Sequence, residues 1–435
     1  MTPRGRTTWP ALLALMFAAC TNEPAAGPDA ALRPSFGAGG VGRPSVLVNP
    51  ISDDNGTAKT IQEGIDMVAE GGKVLVLPGT YNEALVISKG LTLEGVGGES
   101  GPVTVTPPAG ASDAIQVTTT DPVVIRSLSV QSGTVQGIHG IGAVDLTVEQ
   151  VSVIAVNPTL GVSRLIRVLN DPNPSGARAQ FVVRESFVDG TITNQPAPFP
   201  QVFGISVVGD ADALFEHNVV RRTGGACIFV VVRSDLGGVQ NVDIVDNDLD
   251  ECHPLGRVAS LIVGPAAAAI VPTPERPLTA TGVVNIIGNT IRNSSPSCVT
   301  TSAIAYEVYT GRIERNRIVS VVQGCAEPTG RNLPSAIWLG RRQHPLFPAV
   351  TPTVRFNDIM GNALAGLRIG ANQTVVIDAS CNYWGSADGP SGVGPGSGDA
   401  VVVEPGSATT GPGGAMPVFM PFATAPIAET GATSC

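Results

Sequence analysis

One short motif recurs through the chain: an apolar residue, two variable residues, Asn, one variable residue and a second apolar residue. It places asparagine at Asn218, Asn247, Asn289, Asn316, Asn357 and, in a looser copy, Asn382. Earlier copies hold Leu128, Val151 and Ser186 at the same position. Spacings run from 23 residues (Leu128 to Val151) to 42 (Asn247 to Asn289). The shortest spacings fit three short strands and three turns, so the motif predicts a solenoid in which longer copies carry insertions.

The asparagine position has a specific physical meaning in such a coil. Asparagine tolerates left-handed backbone geometry, and its side-chain amide donates and accepts hydrogen bonds at once. Stacked amides from successive coils can therefore bond one another in a ladder. The flanking Val, Ile and Leu residues are expected to point inward and form a continuous apolar core.

The composition agrees with many short strands and excludes one class of partner. Charged residues make up 14% of the chain and aromatic residues 4%, with 52 Gly and 36 Pro. Short Val/Ile strings between Gly, Asn, Asp and Pro are typical of strands joined by tight turns. The net charge of −10 and the pI near 4.9 argue against a nucleic-acid partner, because phosphate binding needs a basic face.

A second repeated pattern, apolar–variable–apolar, precedes each asparagine turn. Its middle residues are His139, Arg167, Ser206, Phe229, Ile262, Ala305, Trp338 and Arg368. Strand alternation predicts that these residues face outward in one column. The main insertions, at about 170–178, 264–282 and 341–353, fall between this strand and the strand that leads into the asparagine. They are expected to cluster along one edge of the solenoid.

The N-terminus indicates export. A basic segment with Arg4 and Arg6 precedes an apolar run too short to span a bilayer, and the run ends in Ala-Ala-Cys20. This ending resembles a bacterial lipobox and predicts a lipoprotein signal peptide over 1–20, with Cys20 lipidated; ordinary cleavage near Ala19 is the alternative. Residues 21–45 read as a flexible tether. We expect a lipid anchor as the only membrane contact, in the cell envelope, with Thr21 favouring the outer membrane on either its periplasmic or its surface side.

Residues 60–71 predict a short amphipathic helix at the N-terminal end of the core. Thr60-Ile-Gln-Glu63 has the form of a capping box, and Gly71-Gly72 are expected to end the helix. The segment 60–98 resembles the start of the pectate-lyase-like right-handed parallel β-helix superfamily. The segment 381–401, which begins CNYWG, is similar to the final coil of exported bacterial β-helix proteins, including relatives of the periplasmic β-helix component of nitrous oxide reductase maturation.

The resemblance implies an all-β fold, a right-handed parallel β-helix over 46–425 with a short N-terminal capping α-helix and a C-terminal tail at 426–435. It specifies activity poorly, because this superfamily includes lyases, hydrolases, esterases, epimerases and proteins with no known chemistry.

Six cysteines remain after Cys20, and an even number in an exported chain favours disulfides, although six cysteines allow fifteen pairings. Metal binding is the alternative, but the chain has no C-x-x-C pair and its four His are scattered. In the β-helix, Cys298 and Cys325 each lie nine residues after an asparagine in consecutive coils. Cys227 has the same offset, with Cys252 in the next coil. The expected pairs are Cys298–Cys325, Cys227–Cys252 and, for the remaining two, Cys381–Cys435.

The outward column is the candidate ligand surface, a groove that binds or cleaves polysaccharide. Aromatic faces stack on sugar rings, and arginine pairs with uronate carboxylates. The candidate binding residues are Arg167, Phe229, Glu307, Trp338 and Arg368, with His139 near the N-terminal end. The alternative is structural: the aromatic residues pack beneath the insertions and the arginines are solvated.

The sequence contains no recognisable catalytic set, so catalytic residues stay unassigned. Three functions remain: a polysaccharide-binding protein, a lyase or other carbohydrate-active enzyme, and a structural or accessory surface protein without a ligand. No cofactor or metal site is predicted. Calcium is the one alternative, because Asp243, Asp246, Asp248, Asp250 and Glu251 form a dense acidic run, although alternation spreads them over different faces.

Overall fold

The structure is a computed structural model of the chain. It describes residues 42–52, 57–97, 101–156, 162–192 without 172 and 174, 201–232, 238–252, 261–263, 280–294, 302–321 without 308, 335–340, 351–370 without 363 and 364, 373, 375–404, 417–427 and 435. Cys20 and most of the predicted tether lie outside these residues. The first strand begins at Arg43, within the last residues of that predicted tether.

The described residues contain one helix and 34 strands, joined by turns and connections. The helix, α1, spans Ile61–Met67. The first strands are β1 (Arg43–Val48), β2 (Thr57–Ala58), β3 (Val68–Val76), β4 (Gly79–Tyr81), β5 (Leu85–Ile87), β6 (Leu91–Gly95), β7 (Val103–Val105), β8 (Asp113–Val117), β9 (Pro122–Arg126), β10 (Ser129–Gln131), β11 (Gln136–Ile141) and β12 (Asp145–Glu149). The middle strands are β13 (Ser152–Ile154), β14 (Val162–Asn170), β15 (Ala179–Arg184), β16 (Phe187–Asp189), β17 (Gln201–Gly209), β18 (Ala211–Glu216), β19 (Val219–Arg221), β20 (Ile228–Val231), β21 (Gly238–Val245), β22 (Asp248–Asp250) and β23 (Leu261–Val263). The last strands are β24 (Ala280–Ile287), β25 (Thr290–Arg292), β26 (Ser302–Tyr306), β27 (Thr310–Glu314), β28 (Arg317–Val319), β29 (Ser335–Leu339), β30 (Thr351–Arg355), β31 (Asp358–Met360), β32 (Ala365–Ile369), β33 (Pro390–Gly392) and β34 (Gly398–Val403).

These strands form three parallel sheets that run the length of the molecule. From β3 to β32, every third strand joins the same sheet: sheet A takes β3, β6 and so on to β30, sheet B takes β4 to β31, and sheet C takes β5 to β32. Strands β1 and β2 extend sheet A at one end, and β34 and β33 extend sheet C at the other. The pairings between described strands are parallel, as in β21 with β24 and β29 with β32. The prediction of an all-β, parallel, coiled fold is therefore confirmed.

The inside of the solenoid is a continuous apolar core, as the motif predicts. The apolar residues before and after each asparagine are fully buried, for example Phe215 and Val220 in one coil and Ile286 and Ile291 in a later one. They belong to one cluster that extends from Val46 to Val401. Burial of stacked Val, Ile and Leu side chains is the main favourable term in such a fold.

The asparagine ladder is present at the turn between sheets A and B. The Nδ2 of Asn247 donates to the Oδ1 of Asn289 at 2.9 Å, and the backbone N–H of Asn247 donates to the same oxygen at 2.9 Å. The pattern continues from Asn218 to Asn382, with distances of 2.9–3.0 Å between side chains. Ser186 extends it, because its N–H donates to Asn218 Oδ1. Each of the asparagine amides also donates to a carbonyl of the preceding coil, as Asn289 does to Ile244.

At this turn the left-handed backbone conformation does not fall on the expected residue. The left-handed residue is not the asparagine but the one before it: His217, Asp246, Arg315, Phe356 and Cys381 have φ between 51 and 61°, and Gly288 has 71°. The asparagine is selected for its amide, which satisfies both a turn N–H and a carbonyl that the sheets leave unpaired.

The N-terminal helix is shorter than predicted. Thr60 caps the helix, because its hydroxyl oxygen accepts from the N–H of Glu63. The Glu63 carboxylate accepts from the backbone N–H of Lys59 and not from that of Thr60, as a capping box would require. The helix ends at Met67 instead of at the glycines, and the chain continues as β3. Lys89 accounts for the early end, since its Nζ donates to the carbonyls of Asp66 and Val68 and so pairs the terminal acceptors.

Opposite charges face each other across the coils of sheets A and B. In sheet A, Glu94, Arg126, Glu149 and Arg184 occupy one register position in successive strands. Their ion pairs measure 2.6 Å for Arg126–Glu94 and 2.5 Å for Arg184–Glu149. In sheet B, Asp189, Arg221, Asp250 and Arg292 alternate in the same way. Such ladders stabilise stacking and need no ligand.

Two of the three expected disulfides are present. Cys227 and Cys252 are bonded across adjacent coils with Cα atoms 5.6 Å apart. Cys381 and Cys435 are bonded with Cα atoms 5.4 Å apart and attach the C-terminal residue to the last asparagine turn. Cys298 and Cys325 lie outside the described residues. Among the helices that the structure describes, none is long and apolar enough to cross a membrane.

Candidate functional site on the outward face of sheet C

Sheet C lies between two sets of long connections. On the edge toward sheet A, the connections include 171–178, 264–279 and 340–350, close to the predicted insertions. The expectation of a single edge was incomplete, because the connections from sheet B into sheet C are also long, as at 190–200, 251–260 and 320–334. The sequence did not predict the connections from sheet B into sheet C, because the short strands beside them carry no motif. From β9 to β31, each connection between sheets A and B is only two residues long, so sheet C is the face that the long connections border.

The predicted outward column follows one register position of sheet C. His139 pairs with Arg167, Arg167 with Ser206, and Ser206 with Phe229. The register continues through Ile262 and Ala305 to Trp338 and Arg368. Phe229 and Trp338 are therefore three coils apart, roughly 14 Å at the usual strand spacing.

These side chains are more buried than either interpretation of the sequence required. Arg167 is 1% exposed, Trp338 4% and His139 6%. Burial of Trp338 agrees with the structural alternative, whereas the solvated arginines expected by that alternative are not found. A buried guanidinium is unfavourable without compensating contacts, and Arg368 has such contacts with Glu404 and Trp338.

At the C-terminal end of the column, an arginine links an aromatic ring to a carboxylate. The Arg368 guanidinium carbon lies 4.0 Å from the centroid of the Trp338 ring. Its Nε is 2.6 Å from Oε1 of Glu404, and both side chains are only 6% exposed. Burial lowers the pKa of Arg368 and the neighbouring Glu404 counteracts this. Glu307 follows β26 and is buried as well.

In the middle of the face, apolar contacts dominate. The rings of Phe203 and Phe229 are 5.2 Å apart, and Phe203 packs with Ala226 and Ala305 outside the main core. The Arg164 guanidinium carbon lies 5.6 Å from the Phe203 ring centroid. Sequence reasoning missed both Phe203 and Arg164.

The reason is a break in strand alternation at the start of these strands. Leu165 and Ile166 are consecutive yet both are buried in the main core, as are Cys227 and Ile228. The backbone pairing also skips one position, from Arg164–Phe203 to Ile166–Ile205. Two successive inward residues shift the earlier residues outward, which a strict two-residue period cannot anticipate.

The N-terminal end of the face is polar. The His139 Nδ1 lies 3.1 Å from Oδ2 of Asp113, and Gln116 donates to the same oxygen at 3.4 Å. The His139 Nε2 is buried and makes no hydrogen bond within the part of the chain that the structure describes. Asp113 is a residue that sequence reasoning did not select, although its position at the start of β8 in the preceding coil was available from the repeat.

The acidic run does not converge. Asp243 lies in sheet A, where its Oδ1 accepts from Asn285, whereas Asp248 and Asp250 lie in sheet B and both contact Arg292. Among the residues described, no three His, Cys, Asp or Glu side chains form a group suited to a metal ion.

Comparison with known proteins gives no assignment by sequence: no protein-family model and no curated protein matches the chain significantly. A comparison with solved structures finds two matches at low sequence identity. One is the A-module of a mannuronan C-5 epimerase from Azotobacter vinelandii, with 16% identity over 81% of this chain and 90% of that chain and a TM-score of 0.39. The other is a pectin methylesterase in complex with a hexasaccharide, with 13% identity over 71% and 80% and a TM-score of 0.23. The three parallel sheets show without these comparisons that the chain is a parallel β-helix.

Proposed function

We propose that this protein binds an acidic polysaccharide along the outward face of sheet C. The observation that carries the proposal is the placement of Arg167, Arg368 and His139 at one register position of sheet C together with Phe229 and Trp338. Arginine matches a uronate carboxylate with two parallel hydrogen bonds, and aromatic rings pack on the apolar faces of sugar rings. A stack of coils about 4.8 Å apart presents such groups at regular intervals to a linear polymer.

The contrast with the other two sheets supports this proposal. In sheets A and B, arginines alternate with carboxylates at the same register position, which accounts for them structurally. In sheet C, the register neighbours of Arg167 are His139 and Ser206, and those of Arg368 are Trp338 and Val402. Arg368 instead contacts the ring of Trp338 and the carboxylate of Glu404, so the cations of sheet C do not form a repeated charge ladder.

A binding experiment on the full chain tests the proposal. Titration calorimetry with polygalacturonate and alginate, against dextran as a neutral polymer, should give binding to the acidic polymers only. Arg167→Gln should weaken that binding about tenfold, the effect of one charge-assisted hydrogen-bonded contact. The matched control is Arg184→Gln, which removes an arginine of the sheet A ladder and should leave the affinity unchanged.

Two outcomes would contradict the proposal. Equal binding of all polymers, or binding of none, would show that the protein does not recognise acidic polysaccharides. Unchanged affinity in both Arg167→Gln and Trp338→Ala would place the ligand on another surface. Release of unsaturated products from the acidic polymers, with or without calcium, would favour a polysaccharide lyase. Binding that requires calcium would favour the alternative of a calcium site.

A ligand-free structural role is the second candidate, and the burial of Arg167 and Trp338 favours it. In that case the column serves to hold the long connections against sheet C. The two roles differ in stability: under the structural role, no polymer raises the unfolding temperature, whereas a specific ligand stabilises the native state in proportion to its saturation.

We also propose that the protein is exported and held in the cell envelope by lipid on Cys20, most simply in the outer membrane. The disulfides support export, since they persist in oxidising compartments. Cys20→Ser should release the protein from the membrane fraction of a bacterial host, and membrane retention of that variant would contradict the anchor.

A further inference from the structure

The disulfide between Cys381 and Cys435 joins two cysteines in unlike environments. Cys381 lies at the last asparagine turn and is 2% exposed, whereas Cys435 is an exposed residue. Thiol–disulfide exchange begins with the attack of a thiolate on one of the two sulfurs, so its course depends on which sulfur is accessible. A thiolate in solution can approach Cys435, and Cys381 is then the sulfur that leaves.

The sulfur of Cys381 has a cation beside it. Nη2 of Arg355 donates to this Sγ at 3.5 Å. The same guanidinium has its Nε 3.7 Å from Oδ2 of Asp378, which offsets part of its charge, and its carbon lies 5.1 Å from the ring centroid of Phe356. A neighbouring arginine stabilises a thiolate, and a thiol that ionises more readily leaves faster from a disulfide.

The fold holds Cys381 in place without help from the disulfide. Its backbone N–H donates to the carbonyl of Pro421 at 2.6 Å. The next residue, Asn382, ends the ladder: its Nδ2 donates to the carbonyl of Val354 at 2.6 Å and its Oδ1 accepts from Asn357 at 2.9 Å. The Cys381 sulfur and the guanidinium therefore stay together when the disulfide opens.

The turn position that Cys381 occupies faces outward. Cys381 precedes the last asparagine and has a φ of 61°, like the residues before the other asparagines of the ladder. At two of these equivalent positions the side chains are mostly solvent-accessible, His217 at 59% and Asp246 at 51%. A thiolate at residue 381 therefore forms on the outside of the coil and needs no unfolding of the core.

The other described disulfide gives an internal contrast. Cys227 and Cys252 are both 0% exposed and belong to the main apolar core. The Cys227 sulfur lies 3.5 Å from the carbonyl oxygen of Val220, a contact that does not favour a thiolate. A thiol reaches this bond only after the surrounding coils open locally.

We propose that Cys381–Cys435 is a site of reversible thiol–disulfide exchange, at which an external thiolate attacks Cys435 and Cys381 leaves as a thiolate beside Arg355. A bond forms between the external sulfur and Cys435, the bond between Cys435 and Cys381 breaks, and its electron pair goes to Cys381. The external thiol is thereby oxidised to a mixed disulfide and Cys381 is reduced. Attack of the Cys381 thiolate on Cys435 reverses the step and releases the thiol. The reductant is a thiol, carried by a small molecule or by a thiol–disulfide oxidoreductase.

Reaction of the natural full chain with glutathione tests the proposal. Samples are quenched with iodoacetamide and each cysteine is followed by peptide mass mapping. Cys381–Cys435 should open about a hundredfold faster than Cys227–Cys252, since only the first is accessible in the native state. The trapped intermediate should carry glutathione on Cys435 and the alkyl group on Cys381. Urea below the unfolding transition should accelerate only the opening of Cys227–Cys252.

Variants of one arginine test the role of the cation. Arg355→Gln removes the charge beside Cys381 and should slow the exchange about threefold or more, and Arg355→Lys should recover part of the rate. The matched control is Arg184→Gln, which removes an arginine at the same register position of sheet A in an earlier coil. Its exchange rate should equal that of the natural chain.

The outcomes decide each part of the proposal. Equal rates at the two disulfides, or glutathione found on Cys381, overturns the assignment of attacked and leaving sulfurs. An unchanged rate in Arg355→Gln overturns the role of the arginine. Thioredoxin, used in parallel, separates the two sources of thiol: faster exchange per thiolate than with glutathione identifies a protein thiol as the partner, and slower exchange a small thiol. Reaction with neither reagent overturns the proposal.

Discussion

The turn between sheets A and B and the outward face of sheet C are built from the same repeat, yet they use polar residues in opposite ways. At the turn, each Asn amide meets a partner in the next coil, and the neighbouring charges of sheets A and B are paired across coils. On sheet C, the buried cations have individual contacts that do not repeat from coil to coil, such as Arg368 with Trp338 and Glu404. Repetition thus stabilises the first region, and departures from repetition mark the second as the place to look for a ligand.

The two regions also hold their carboxylates differently. In sheet B, burial alone would raise the pKa of Asp189, but hydrogen bonds from Arg222 and the N–H of Thr191, with the charges of Arg222 and Arg221, lower it overall. In β34 of sheet C, burial raises the pKa of Asp399, and the hydrogen bonds from Asn362 offset this only in part. The ionised form is therefore favoured for Asp189 and disfavoured for Asp399.

The largest expected effect concerns the ladder. Asn289→Ala removes the acceptor of the Asn247 N–H and Nδ2 and leaves two buried donors unpaired, so the free energy of unfolding should fall by about 4 kcal/mol. Urea denaturation followed by tryptophan fluorescence measures it. Asn285→Ala, which removes an amide from the solvent side of sheet A, is the control and should cost about 0.5 kcal/mol. Equal losses in the two variants would show that the ladder is not the stabilising element.

A smaller effect should appear at the charge ladder of sheet B. Asp189→Asn removes the anion that contacts Arg221 and Arg222 and should lower the free energy of unfolding by about 2 kcal/mol near neutral pH. Because the folded pKa of Asp189 lies below its unfolded value of about 3.9, its contribution is present above that pH and is lost as the pH falls through the folded value. The difference between the natural chain and the variant should therefore shrink in acid. A constant difference down to strongly acidic pH would contradict the ion-pair account.

The smallest effect should have the opposite sign. The folded pKa of Asp399 is raised, so protonated Asp399 favours folding below the unfolded value of about 3.9, and this stabilisation is lost as the pH rises through the folded value. Asp399→Asn keeps an acceptor for Asn362 without the buried charge. At neutral pH it should raise the free energy of unfolding by under about 1 kcal/mol, and thermal unfolding should show a higher midpoint. A lower midpoint at neutral pH would mean that the ionised carboxylate is required at this position.

Much of the architecture could be predicted from the sequence, because the spacing of a repeated motif shows which residues occupy equivalent positions in successive coils. The asparagine register predicted which residues point inward, which cysteines stack and which residue of each sheet C strand shares one column, and the pairings of Cys227 with Cys252 and of Arg167 with His139 follow that register. These features depend on periodicity, which is local and survives without knowledge of the rest of the fold.

What the tertiary structure decided is the environment of those positions. Because the consecutive residues Leu165 and Ile166 both point inward, Arg164 and Phe203 lie on the outward face. A strict alternation of inward and outward residues cannot predict this. The burial of Arg167, the contact of Arg368 with Glu404 and the engagement of His139 by Asp113 join residues that are distant along the chain. Sequence pattern determined the direction of each side chain, whereas its neighbours and its exposure depend on packing between coils, which only the folded molecule contains.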